Sequence, residues 1–338
     1  MLLGNLDNDK SIQRSLVVND LAEAFLNFKR QQCRDEELSP RTLDGYLRAC
    51  AIVGDVIGGE PVDNLAPRHF ADIRLTLTER LGPRSVGTYI RMIKTLFSWA
   101  YDSELLDHPP RYGRQFAPPS RSTIRKAQPR NNRRVYEPDE LRRLINTATP
   151  RVRVWILLGL NAAFGQKDIA MLPASTAWEG IDAGVLSFPR PKTGIDRDTV
   201  LWPETIRAMK ATIRDRGAKG EAWLSQRGHR LVRERTHAMN GDGVDRIVAI
   251  DGIGQQFAKH CKAQGVANLG FYAMRRTFDT IADRARDPHA QLRVMGHTLP
   301  GMTSVYVDRI DADRIKRVCD EVRGWLDLGA GSTVSLFE

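Results

Sequence analysis

Along residues 17–106 apolar side chains recur at steps of three and four, the spacing that gathers them on one face of a helix. Ser39-Pro40 supplies a capping serine followed by a proline at the first helical position. Leu43, Leu47, Cys50 and Val53 or Gly54 then follow on one side. In PRSVGTYIRMIKTLFSWAYDSELL, Val86, Ile90, Ile93, Phe97 and Tyr101 line a second such face, with Arg84, Arg91 and Lys94 off the stripe and free to meet solvent or phosphate. These patterns predict a small all-helical domain over 17–110, after an N-terminal tail of 1–16.

The stretch 111–134 breaks the pattern. It is rich in proline and arginine and holds no acidic residue, which fits a solvated linker. A linker with so many uncompensated cations would also track a phosphate backbone, and Arg121, Arg125, Lys126 and Arg130 are its candidate contacts. A second domain is predicted over 135–328, opening at VYEPDELRRLI with a proline early in the helix, before a tail of 329–338. VRVWILLGLNAAFG is apolar on nearly all sides and reads as a core helix. VLSFPRPKTGIDRDTVLW reads as two short strands around a turn near Thr193-Gly194. Helical patterns return at 203–215, 254–264 and from Ala273 onward, and MNGDGVDRIVAIDGIG is predicted as a loop or hairpin. The latter lacks the strand–GxGxxG–helix spacing of a dinucleotide site. Near the C-terminus Ile315, Val318, Val322 and Trp325 mark an amphipathic helix, which could close its own domain or dock on a neighbouring protomer.

Composition adds a partner class. The 338 residues are 41% hydrophobic and 27% charged, as in soluble globular proteins, and carry a formal charge of +10 that favours a polyanionic partner. Cys33, Cys50, Cys261 and Cys319 are scattered, which argues against a disulfide framework or a zinc site, and His260 and His289 have no partner at metal-ligand spacing. No signal-peptide pattern opens the sequence and no apolar run would span a bilayer, so a cytoplasmic, nucleoid-associated protein without membrane attachment is expected.

Three C-terminal pieces carry the chemistry: YAMRRTF (272–278), VMGHTLPGM (294–302) and TSVYVDR (303–309). Singly, each has a plain structural explanation. In order and spacing they resemble the catalytic domain of the tyrosine recombinase, or phage integrase, family, which carries H-x-L-R-[HR]-T-F, then L-G-H, then a tyrosine nine residues after the histidine. Arg275 matches the arginine and is followed by Arg276, Thr277 and Phe278. Gly296-His297 matches the Gly-His, and Tyr306 falls nine residues later. PRPKTGIDRDTVLW is similar to the family's strand–turn–strand, with Lys192 at its lysine. VYEPDELRRLI looks like the usual opening of the catalytic domain, and 17–106 resembles the core-binding domain.

The resemblance implies a mainly α protein with a small β-sheet: a helical core-binding domain and a mixed α/β catalytic domain forming a C-shaped clamp on double-stranded DNA. It also implies a homo-oligomer on DNA, a synaptic tetramer, acting on a mobile element without cofactor or metal. In such chemistry a tyrosine attacks a phosphodiester and conserves the bond as a 3′-phosphotyrosyl link. Tyr306 would be the nucleophile, Arg275 a phosphate clamp, His297 a hydrogen-bond donor to the phosphate and Lys192 the general acid, with Arg276 a further DNA contact.

The sequence departs from the pattern at two columns. The histidine of H-x-x-R is Tyr272. The family's first arginine belongs to G-x-R-x-x-E, and in AAFGQKDIAMLP its column holds Gly165 if Asp168 takes the acidic position. Lys167 is a candidate substitute, and Asp168 is either the orienting carboxylate or a helix-surface charge. Two accounts follow: strand exchange with another cation completing the clamp, or a catalytically degenerate accessory protein that binds DNA on the same fold. A nicking enzyme of the type IB topoisomerase kind shares the tyrosine chemistry and stands as a third.

Overall fold

A computed structural model describes residues 16–127, 134–238, 245–298 and 310–328. The protein is mainly α with two small two-stranded sheets. It divides into two compact units, one of residues 1–132 with 236–248 and the other of 133–235 with 249–338.

The first unit holds α1 (Val18–Arg34), α2 (Pro40–Ile57), α3 (Pro67–Arg80) and α4 (Pro83–Asp102). The Ser39 hydroxyl accepts from the Thr42 amide and Pro40 opens α2, so a donor left over at the helix start is satisfied as its sequence predicts. Leu43, Leu47, Cys50 and Val53 are buried. On α4 the buried stripe runs Val86, Ile90, Ile93, Phe97 and then Ala100. Tyr101, expected on that face, is 42% exposed, because the stripe continues by a step of three rather than four. Phe70, Phe97, Tyr112 and Phe116 form an aromatic cluster, with Phe70–Tyr112 centroids 4.8 Å apart in a T-shaped arrangement. Within the stretch read as linker, Arg121–Lys126 form a short helix α5, capped by Ser120.

The second unit contains α6 (Pro138–Thr147), α7 (Pro150–Asn161), α8 (Gln166–Met171) and α9 (Ala174–Ala183), then β1 (Val185–Ser187), β2 (Asp198–Val200) and α10 (Pro203–Lys210). β3 (Val232–Ala238) pairs with β4 (Asp245–Asp251), a hairpin whose residues 236–248 belong to the first unit, so the stretch read as loop or hairpin forms one arm of a hairpin. α11 (Gly252–Ala263), α12 (Ala273–Ala282), α13 (Pro288–Met295) and α14 (Ala312–Leu326) complete the second unit. α7 is buried on every side, packing against α6, α10, α11, α12 and α14. At its end the buried Asn161 donates to the Val200 carbonyl at 2.9 Å and accepts from the Trp202 amide at 2.8 Å, fixing β2 to the core. The indole of Trp202 donates to the Cys319 carbonyl at 3.1 Å. α14 thus closes its own unit, burying Ile315, Val318, Cys319, Val322 and Leu326, with Trp325 only partly covered.

α7 and α12 cross closely. A Cβ on Gly159 would lie 2.7 Å from the Met274 Cβ, whereas one on the exposed Gly324 of α14 would meet nothing within 4 Å. Both changes to alanine gain about 0.5–1 kcal/mol in backbone terms. Overpacking costs about 1–3 kcal/mol, so Gly159→Ala should lower Tm while Gly324→Ala raises it. Equal stabilisation in thermal denaturation would refute the close crossing.

Candidate functional site

Asp168, Arg275 and His297 are set by the chain where α7, α12 and α13 end or pass. The chain leaves α7 through Ala163, which adopts a left-handed conformation (φ +53°), and enters α8 at Gly165. The Gly165 amide donates to Asp168 Oδ2 at 2.7 Å, so Asp168 is a buried capping carboxylate rather than a surface charge. α13 ends in a Schellman motif: the Gly296 amide donates to Arg293 O at 3.2 Å and the His297 amide to Leu292 O at 3.0 Å. Gly296 holds φ +60° there, and a Cβ would come within 3.0 Å of the Arg190 Cβ. The glycine before the histidine is therefore a backbone requirement that sets where His297 stands.

Arg275, on α12, is 1% exposed. One guanidinium nitrogen donates to the Ala163 carbonyl at 2.6 Å; another donates to the Met295 carbonyl and meets His297 Nε2 at 3.0 Å. Arginine has no acceptor, so Nε2 accepts and the neutral imidazole carries its proton on Nδ1. The first acceptor lies just beyond the C-terminus of α7 and the second is the last residue of α13, where the backbone dipole favours a cation. Burial, with Arg190 close by, lowers the affinity of Arg275 for its proton. His297 is likewise held below the ordinary imidazole range, by burial first and then by Arg275 and Arg190.

The β1–β2 hairpin adds two arginines that the motif reading missed. Its pairs Val185–Val200, Leu186–Thr199 and Ser187–Asp198 continue as Phe188 N donates to Arg197 O at 3.0 Å. This register turns the Arg197 side chain inward, 1% exposed, with its guanidinium 4.0 Å from the Phe164 ring centroid. Arg197 Nη1 lies 3.5 Å from Asp168 Oδ2, an ion pair without a hydrogen bond. Arg190 and Arg197 both lie against the Gly296 backbone. The signal was present in the sequence, as arginines flank Lys192 on both arms of PRPKTGIDRD, but the register was needed to see which points inward.

Lys192 sits exposed in the hairpin turn, and Lys167 is exposed on α8. Tyr272 is 40% exposed beside Gly165, with the Arg276 guanidinium 5.4 Å from its ring centroid. In the first unit Arg84, Arg91, Arg121, Arg125 and Lys126 are exposed, while Lys94 lies 5.0 Å from the Tyr112 ring centroid. Tyr306 and Arg130 lie outside the described residues. Among the described residues no three His, Cys, Asp or Glu side chains gather as a metal site requires, and no helix is long and apolar enough to cross a membrane.

A neutral His297 in the free protein should titrate below 6.5 by NMR of its ring protons. An added anion favours the protonated ring, so inorganic phosphate should move the midpoint upward. A free-protein midpoint at or above 6.5 would contradict the cationic surroundings.

Compared by sequence, the chain matches no family model and no curated protein. Compared by structure, it is similar to a lambda integrase dimer bound to a COC′ core site, at 13% identity and a TM-score of 0.60, over 88% of this chain and 81% of that one. It is also similar to a lambda integrase tetramer bound to a Holliday junction, at 14% identity and a TM-score of 0.60 over the same shares. With the Tn1549 transposon integrase in complex with circular intermediate DNA it shares 16% identity, at a TM-score of 0.57 over 89% and 98% of the two chains. In both units, then, the chain carries the fold of the tyrosine recombinases lambda integrase and Tn1549 integrase.

Proposed function

We propose that the protein is a DNA-binding recombinase that breaks and rejoins strands through Tyr306. The observation that carries this reading is the 3.0 Å approach of Arg275 to His297 in an integrase fold, with Tyr306 nine residues further along the chain. The Tyr306 hydroxyl gives up its proton to solvent and attacks the phosphorus of a DNA phosphodiester. The phosphorus–O5′ bond breaks, leaving a 3′-phosphotyrosyl link and a 5′-oxygen that takes its proton from Lys192. Arg275 stabilises charge on the non-bridging oxygens, and the attack of another strand's 5′-hydroxyl reverses the sequence. The bond energy is conserved throughout, so no cofactor or metal enters the scheme. The integrases of similar fold are bound to DNA as a dimer and a tetramer, which supports a homo-oligomer on DNA here.

A second reading is favoured by one observation: Gly165 at the column of the family's first arginine. On it the protein binds DNA as an accessory factor and does not cleave. Nicked suicide duplexes carrying the ends of its own element separate the two. Strand cleavage predicts an SDS-resistant protein–DNA adduct that Tyr306→Phe abolishes. Binding without any adduct would favour the accessory reading, and no binding at low salt would sink both.

The basic segment offers an independent check. Each phosphate contact adds about 0.9 to the slope of log K against log salt. Replacing Arg121, Arg125 and Lys126 together by alanine should flatten that slope by up to about three such contacts. An unchanged slope in a fluorescence anisotropy titration would remove them from the DNA interface.

A further inference from the structure

We infer that Arg197 supplies the second guanidinium of the phosphate clamp, entering from the β1–β2 hairpin instead of from the column now held by Gly165. The inference rests on the recombinase reading and names how that site is completed.

Four features single out Arg197. Its side chain is buried, yet Nη2 has no hydrogen-bond partner and Nη1 has only the Asp168 carboxylate, 3.5 Å away and outside hydrogen-bond geometry. A buried donor left unmade costs free energy, and a buried cation costs more, so such a group persists where an anion is to be met. Second, its stem lies against Gly296, next to His297, and it is close enough to Arg275 for the two cations to disfavour each other. Burial pushes its affinity for a proton down to a pKa of about 10, with Asp168 opposing and Arg275 and Arg190 adding to the effect. Third, it is held in place without its terminal nitrogens being used up: Nε donates to Phe188 O at 3.1 Å and the planar group stacks on Phe164. A guanidinium fixed by its face and its Nε keeps the outer fork free for two oxygens. Fourth, Asp168 joins the two positions, since Oδ2 both caps Gly165 and pairs with Arg197. The carboxylate expected beside the family's arginine thus has an arginine beside it after all, contributed by another strand.

Lys167 is the rival substitute, but it is exposed on α8. Depth does not separate Arg197 from Arg275, as each is 1% exposed. The column of the ordinary arrangement is not closed at its first atom: a Cβ on Gly165 would make only normal contacts, at 3.4 Å to Asp168 and 3.7 Å to Tyr272.

That column gives the test. Inorganic phosphate binding to the full chain is measured by thermal shift and by the His297 ring resonances, for wild type, Arg197→Met, Arg197→Lys, Arg275→Met and the double variant Arg197→Met/Gly165→Arg. Arg197→Met should weaken phosphate binding by about tenfold or more, Arg197→Lys should recover part of it, and the double variant should recover most. A residue that merely braces Phe164 and Asp168 would lower Tm equally with and without phosphate, and an arginine at 165 would restore nothing. Phosphate binding lost in Arg275→Met but unchanged in Arg197→Met overturns the inference and leaves the recombinase reading standing. Where suicide duplexes give an adduct, Arg197→Met should slow its formation by about 10²–10³, the usual loss for one preorganised donor, and Gly165→Arg should rescue it. An adduct formed at the wild-type rate by Arg197→Met would equally refute the assignment. The absence of any adduct from wild type counts against the recombinase reading alone, because the phosphate measurement does not depend on cleavage.

Discussion

A guanidinium with no carboxylate hydrogen-bonded to it, buried where three chain segments meet, is the constraint on which the second unit turns. Arg275 is stabilised by carbonyls of Ala163 and Met295 and by His297 Nε2. Burying a cation on such terms requires acceptors held in advance, since loose carbonyls would turn to water. Much of the surrounding architecture serves that end. α7 must stop at Asn161 so that Ala163 can turn its carbonyl inward, α12 must approach closely enough that Gly159 has no room for a side chain, and α13 must end in a left-handed glycine.

This dependence explains which features were legible in the sequence. Helices with one apolar face, such as α2, could be read because spacing and caps are local properties. The same holds for Gly296-His297, whose glycine is demanded by a local backbone conformation. The phase of a stripe near a helix end is less firmly written, because steps of three and four are both acceptable; hence Tyr101 was expected inside where Ala100 lies. Cis docking of α14 was not legible, since an apolar stripe specifies burial without specifying a partner. In this chain α14 is held to its own unit by the Trp202–Cys319 bond and by the approach of Cys319 Sγ to the Asn161 carbonyl, contacts between residues far apart in sequence.

Arg197 was illegible for a related reason. A motif is a set of columns, and it records the position from which a side chain starts rather than the place where its charge ends. An arginine has a long stem, so two backbone positions on different elements can deliver a guanidinium to one point. On the proposed clamp, the glycine at column 165 and the buried arginine at 197 belong together, and Asp168 contacts both positions.

The balance of charge gives the same conclusion from another direction. Arg190 and Arg275 act on His297, Arg197 lies by the neighbouring Gly296 and is acted on by both arginines, and Asp168 is the carboxylate paired with Arg197. Each cation lowers a neighbour's hold on its proton, so the free site bears an electrostatic cost that packing alone does not remove. A purely structural cluster would be cheaper with one arginine exchanged for an apolar residue of like volume. An anion between the guanidinia changes that balance: it supplies the acceptors that Arg197 lacks, offsets the mutual repulsion and favours protonation of His297. Arrangements that are costly when empty and relieved by charge are typical of sites shaped for developing negative charge rather than for stability. On the proposed recombinase reading, the phosphate of a bound strand is the anion that would relieve this surplus of buried cations.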